Sequence, residues 1–201
     1  MFSINTRKNL LLGGMLVLLC ATPLFGQEEN GNTRLLYDFS DPDVAKTWRT
    51  VNDGVMGGVS EGEVRVTEDK TLEFFGTLSL ENNGGFTSVR SPSGKLDVSD
   101  SDAIVIRVRG DGRTYYANVY VPTERYSVSY RTEFTTEEDE WQDIRLSFAD
   151  FKANFRGRNL PNAPSLDLSN IQSMGFLLSD KKAGPFSLEM AWIKGELKSD
   201  E

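Results

Sequence analysis

Apolar and polar residues alternate with a period of two through most of the chain. Ile104, Ile106 and Val108 share one face, with Arg107 and Arg109 opposite. Tyr115, Ala117, Val119 and Val121 continue the pattern, and Tyr126, Val128, Tyr130, Thr132 and Phe134 repeat it. Ile144, Leu146 and Phe148 follow, then Phe186, Leu188, Met190 and Trp192. A period of two sends successive side chains to opposite faces of a strand, and β-branched and aromatic residues suit a half-buried pleated surface. Asp111-Gly112 between two such runs predicts a tight hairpin, as does Asn83-Gly84, because these dipeptides readily take positive φ. Helical spacing is scarce: Phe148, Phe151 and Phe155 fit one face of a short helical turn, or equally a strand running into a loop. Many short strands between Gly- and Asp-rich turns predict an all-β fold, a two-sheet β-sandwich of the jelly-roll type.

The N-terminal residues break this pattern. Arg7 and Lys8 precede an apolar run, Leu10 to Ala21, that is shorter than the roughly 20 residues of a membrane-spanning helix. A positive start, a short apolar stretch and a small-residue exit read as a secretory signal peptide over 1–26, with Gly26 as its last residue. The expected location is therefore periplasmic or extracellular. Leu19 before Cys20 disfavours lipid anchoring at that cysteine. Residues 27–33 read as a flexible lead-in, 34–195 as a single β-sandwich domain and 196–201 as a polar tail. No second long apolar run occurs, so no membrane span is expected after the leader.

Composition narrows the chemistry. The formal net charge is −8, and the leader carries two cations and no acid, so its removal makes the balance more negative. Such a chain has no overall attraction for phosphate backbones, and nucleic acid is not an expected partner. The sequence has no histidine, and its one cysteine lies in the leader. That removes Ser-His-Asp triads, Cys-His pairs and His/Cys metal sites. No EF-hand spacing is present for calcium. The expectation is a non-enzymatic binding module with no cofactor and no metal. Asp53 and Asp111 are the two carboxylates a glycosidase reading would pair.

Three segments hold more Gly, Asn, Asp and aromatic residues than strands require: Trp48–Ser60, Gly76–Arg90 and Arg109–Arg113. Their ligand- or partner-binding candidates are Trp48, Asn52, Asp53, Asn82, Asn83, Arg90, Arg109, Asp111 and Arg113. Each has a competing structural role. Asp53-Gly54 and the Asn82–Gly85 stretch are turn signals in their own right. Arg90 could pair with Asp53 or hold a ligand carboxylate bidentately. Arg109 and Arg113 would face each other across a hairpin, with Asp111 as a neutralising neighbour. Trp48 and Trp141 could stack on sugars, although buried tryptophans are commoner in sandwiches.

Taken in order, these segments resemble the complex I intermediate-associated protein 30 family. Phe148–Phe151, Arg156-Gly-Arg158, Gly175-Phe176 and Gly184–Phe186 extend the likeness over roughly residues 35–194. The resemblance implies a galactose-binding-domain-like jelly roll. It also implies a protein-binding, chaperone-like role, since the family's best-known mitochondrial members assist assembly of respiratory complex I. A carbohydrate-binding jelly-roll module is the alternative, with a glycan in place of the protein partner.

Overall fold

The computed structural model describes residues 32–122 and 128–199. The leader, Cys20, most of the lead-in and Tyr126 lie outside these residues. Among the described residues thirteen strands form: β1 (Thr33–Asp38), β2 (Arg49–Asn52), β3 (Glu61–Val66), β4 (Leu72–Leu78), β5 (Thr87–Arg90), β6 (Ser101–Gly110) and β7 (Thr114–Val121). They continue as β8 (Val128–Thr135), β9 (Trp141–Ser147), β10 (Lys152–Phe155), β11 (Arg158–Asn159), β12 (Ser173–Leu178) and β13 (Gly184–Leu197).

The strands make two antiparallel sheets, the expected jelly-roll sandwich. The first runs β3-β4-β13-β6-β9, with β1 also on β13; the second runs β11-β10-β8-β7-β12-β5-β2. Alternation explains which side chains meet between them. Phe74, Ile104, Ile106, Val108 and Leu188 come inward from the first sheet, and Val89, Tyr115, Val119, Phe176 and Leu178 from the second, all fully buried. Edge-to-face rings pack within each sheet's inner face, Phe74–Phe186 at 4.9 Å in the first and Phe134–Phe176 at 6.0 Å in the second.

Two turn readings need correction. Asp111-Gly112 does not close a hairpin: β6 belongs to the first sheet and β7 to the second, so the turn is a corner between layers. Asn82–Gly85 likewise carries the chain from β4 in one sheet to β5 in the other. Both dipeptides supply the tight reversal they signal, but a turn motif does not say whether the emerging strand rejoins its own sheet. In β13 the inward alternation also shifts. The β13–β6 register slips between Met190 and Trp192, so Ile193 is buried in place of Trp192. Phe148–Asp150 forms a 3-10 turn and Phe155 ends β10, so both readings of that segment hold in part.

Candidate functional site

Asp53 lies at the centre of a hydrogen-bonded seam between two loops. It follows β2 directly, and its side chain is fully buried. Its carboxylate accepts from Ser60 N at 2.9 Å, Ser60 Oγ at 2.6 Å, Gly85 N at 2.6 Å and Phe86 N at 3.3 Å. Burial alone would raise its pKa; the Ser60 hydroxyl and the Gly85, Ser60 and Phe86 amides outweigh that and hold it below the ordinary carboxylate value. The glycines around it make room. A Cβ on Gly58 would sit 2.4 Å from the Asp53 carboxyl carbon, and one on Gly84 would sit 2.6 Å from its Oδ2.

One carboxylate therefore fastens two loops, 53–60 and 79–86. Ser79 N donates to Ser60 Oγ at 3.0 Å, which closes the seam next to Val59 and Leu80. Outside the seam these loops expose apolar side chains: Val55 at 76%, Met56 at 71%, Val59 at 49% and Leu80 at 45%. Of the large hydrophobics exposed among the described residues, only Leu35 lies elsewhere.

The other sequence candidates separate. Trp48 is buried against Tyr37 and Phe39 at 5.3 and 5.9 Å, so it is a core residue and not a stacking platform. Asn52 is a strut: its Oδ1 accepts from Thr87 Oγ1 at 2.6 Å and its Nδ2 donates to Gly62 O at 3.3 Å. Asn82 and Asn83 are exposed on the second loop, both in the left-handed region at φ 55° and 59°. Arg90 does not pair with Asp53; its guanidinium lies 4.5 Å from the centre of the Tyr120 ring, on the outer face of the second sheet.

Arg109, Asp111 and Arg113 go three ways. Arg109 pairs with Glu189 at 2.5 Å. Asp111 accepts from Tyr115 Oη at 3.0 Å and Ser187 N at 2.9 Å, bracing the corner. Arg113 is buried against Asp180 at 2.7 Å and donates to Pro185 O at 3.0 Å. Burial would lower its pKa, but Asp180 overrides this and raises it, while Asp180 is itself lowered. The two arginines do not face each other, because Arg109 lies on β6 of the first sheet and Arg113 in the corner leading into β7 of the second. Asp53 and Asp111 share no hydrogen-bond partner. Among the described residues, no group of three or more Asp, Glu, His or Cys is placed to hold a metal, and no helix is long and apolar enough to cross a membrane.

Sequence reasoning missed Val55, Met56, Val59 and Leu80. A usable signal was present: Val55-Met56 is flanked by Gly54, Gly57 and Gly58, in a stretch with no strand alternation.

The profile of the family described as Complex I intermediate-associated protein 30 matches residues 37–190. The chain belongs to this family. A mitochondrial Complex I intermediate-associated protein 30 of Mus musculus is 31% identical over 180 residues, covering 80% of this chain and 55% of the relative. Its counterpart from Drosophila melanogaster is 25% identical, covering 81% and 62%. The chain thus spans less than two thirds of either relative. Among solved structures, a Family 11 carbohydrate-binding module from Clostridium thermocellum superposes with a TM-score of 0.62 at 19% identity, covering 83% of this chain and 98% of the module. A Family 30 carbohydrate-binding module gives 0.56 at 14% identity, covering 83% and 99%. At such identity the likeness shows the galactose-binding-like jelly roll and nothing more.

The family members also overturn one expectation. The named relatives, a Neurospora crassa protein included, are mitochondrial, which contradicts a periplasmic or extracellular location. The expectation of export rests on two cations before a short apolar run, and charge and hydropathy alone do not specify a destination.

Proposed function

We propose that the chain is a protein-binding module that attends a partly assembled complex, as the names of its relatives describe, and that loops 53–60 and 79–86 carry the contact. The observation behind this reading is the Val55, Met56, Val59 and Leu80 cluster, held by a buried carboxylate. Apolar side chains exposed on a rigid seam lose little conformational freedom when a partner covers them, which is the setting of an interface hot spot. The Asn82 and Asn83 amides beside them would form its polar rim.

The test is native electrophoresis of complex I from the source cell with tagged chain. The wild type is expected to co-migrate with subcomplexes smaller than the finished enzyme. Val55→Asp/Met56→Asp is expected to be released from them while melting at the same temperature. Wild-type chain absent from every subcomplex, with complex I formed normally after gene deletion, would sink the reading. A glycan-binding reading draws on a different part of the molecule, the outer face of the second sheet.

A further inference from the structure

The arginines divide by sheet. Among the described residues, every arginine on a strand of the first sheet is ion-paired: Arg34 with Asp97 and Asp100, Arg65 with Glu73, Arg107 with Asp143, Arg109 with Glu189, and Arg145 with Glu196. The second sheet's strand arginines, Arg49, Arg90, Arg131 and Arg158, have no such partner among the described residues. Three of them fall on one line. The register opposes Arg49 to Arg90, Arg90 to Gly175, Gly175 to Asn118, Asn118 to Arg131, and Arg131 to Lys152. A cross-strand row keeps its side chains on one face, so four cations share the outer face over about 24 Å at ordinary strand spacing. Like charges directly opposite destabilise a sheet. A chain with 30 acids leaves this row without a direct ion pair while pairing the strand arginines of the other sheet.

Two of the four are also set in place. Arg131 lies 4.3 Å from the centre of the Tyr116 ring and Arg90 lies 4.5 Å from that of Tyr120. Cation–π stacking holds a guanidinium flat and leaves its edge free for a bidentate acceptor. Arg90 reaches Tyr120 by crossing β12 where Gly175 has no side chain; a Cβ there would stand 2.3 Å from Val89 O and 3.2 Å from Arg90 Cγ. Its Nε is buried with no hydrogen-bond acceptor. Beside Arg131 a groove of about 340 Å³ is lined by Tyr116, Glu133, Asp150, Lys152 and Asn159. Its carboxylates and amide accept hydroxyl donors, and its cations want an anion. Every residue lining the groove carries a polar group and none is aliphatic, whereas a docked peptide would need apolar anchors.

We propose that this face binds a hydroxylated carboxylate of the sugar-acid class, with Arg131 and Lys152 taking the carboxylate in the groove, Tyr116, Glu133, Asp150 and Asn159 taking the hydroxyls, and Arg90 extending the cationic row beside it. The site is separate from the apolar loops and does not depend on their role. Calorimetric titration of the full chain tests it, with D-galacturonate, tri-galacturonate, D-galactose and a hexaglutamate peptide as probes. Uronate is expected to bind and galactose not, with binding weakened by added salt. Tighter binding of the trimer assigns the source to an acidic oligosaccharide; equal affinity assigns it to the free sugar acid.

Arg131→Met and Arg90→Met/Arg131→Met are each expected to weaken uronate binding by about tenfold or more. They should melt no lower than wild type, because removing like charge relieves the row. Arg107→Met/Arg145→Met on the first sheet, and Val55→Asp/Met56→Asp on the loops, should leave it unchanged. The proposal is overturned by a wild type that ignores both uronates, by affinity indifferent to Arg131→Met, or by hexaglutamate binding as tightly as tri-galacturonate.

Discussion

Asp53 is held by neutral donors, whereas Asp180 faces the Arg113 guanidinium, and the two aspartates respond differently to substitution. Asp53→Asn sets an amide NH2 among four hydrogen-bond donors that want an acceptor. The expected cost at neutral pH is about 1–3 kcal/mol. Because the folded-state pKa of Asp53 is depressed, its contribution is fully present above the unfolded value of about 3.9 and is lost as pH falls through the folded value. The stability gap between wild type and Asp53→Asn should therefore narrow in urea melts at acid pH. A gap of the same size at both ends would refute the assignment, since the other aspartates are common to both proteins. Arg113→Ala leaves Asp180 buried and unpaired, with an expected loss of about 3–5 kcal/mol. Arg107→Ala, in a pair open to solvent with Asp143, should cost about 0–1 kcal/mol. Chemical denaturation of the two variants separates them.

At the scale of elements, the two loops exist because their glycines let the backbone close on Asp53. Gly58→Ala and Gly84→Ala each push a methyl into the carboxylate, and each should cost about 1–3 kcal/mol. Gly54, in the same loop, has nothing within 4 Å of its Cβ position, so Gly54→Ala should change stability by no more than about 0.5 kcal/mol. Thermal melting of the three variants checks the contrast, and equal losses would remove the clamp as the loops' organiser. The strands themselves were legible, because period-two alternation reflects burial on one face. Their partners were less so. Asp111-Gly112 and Asn83-Gly84 announce reversals, but the choice between rejoining a sheet and crossing to the other depends on contacts far away in sequence, such as Thr136 against Gly110. The slip in β13 that buries Ile193 instead of Trp192 is equally non-local. At the candidate site, Asp53 and Asn52 were visible as polar residues in a loop. Their role as struts was not, since Ser60, Gly85 and Thr87 declare nothing until folding brings them together.

On the scale of the whole molecule, net charge hides the division between an ion-paired sheet and a cationic one, because it averages over both faces. Family likeness and fold class survive that averaging, since they rest on many positions at once; the surface does not. The same distinction bears on where the folded unit ends. A unit of 34–195 follows from composition, yet the contacts run further. Thr33 pairs with Glu196, Leu197 N donates to Asn32 O at 2.9 Å, and Lys198 N donates to Asp100 O at 2.9 Å. Arg145 also holds Glu196 through its Nη2 at 2.8 Å. We propose 32–199 as the unit that carries the full stability of the sandwich. Trimming to 34–195 strips the last ladder bonds between β1, β13 and β6 and leaves Arg145 unpaired, a loss of about 1–2 kcal/mol from a few net hydrogen bonds and one exposed pair. For a domain of this size that corresponds to a melting point lower by about 2–8 °C. The two fragments should otherwise unfold with one transition each. Equal melting points would return the boundary to 34–195 and show that the β1–β13 end of the first sheet frays without consequence.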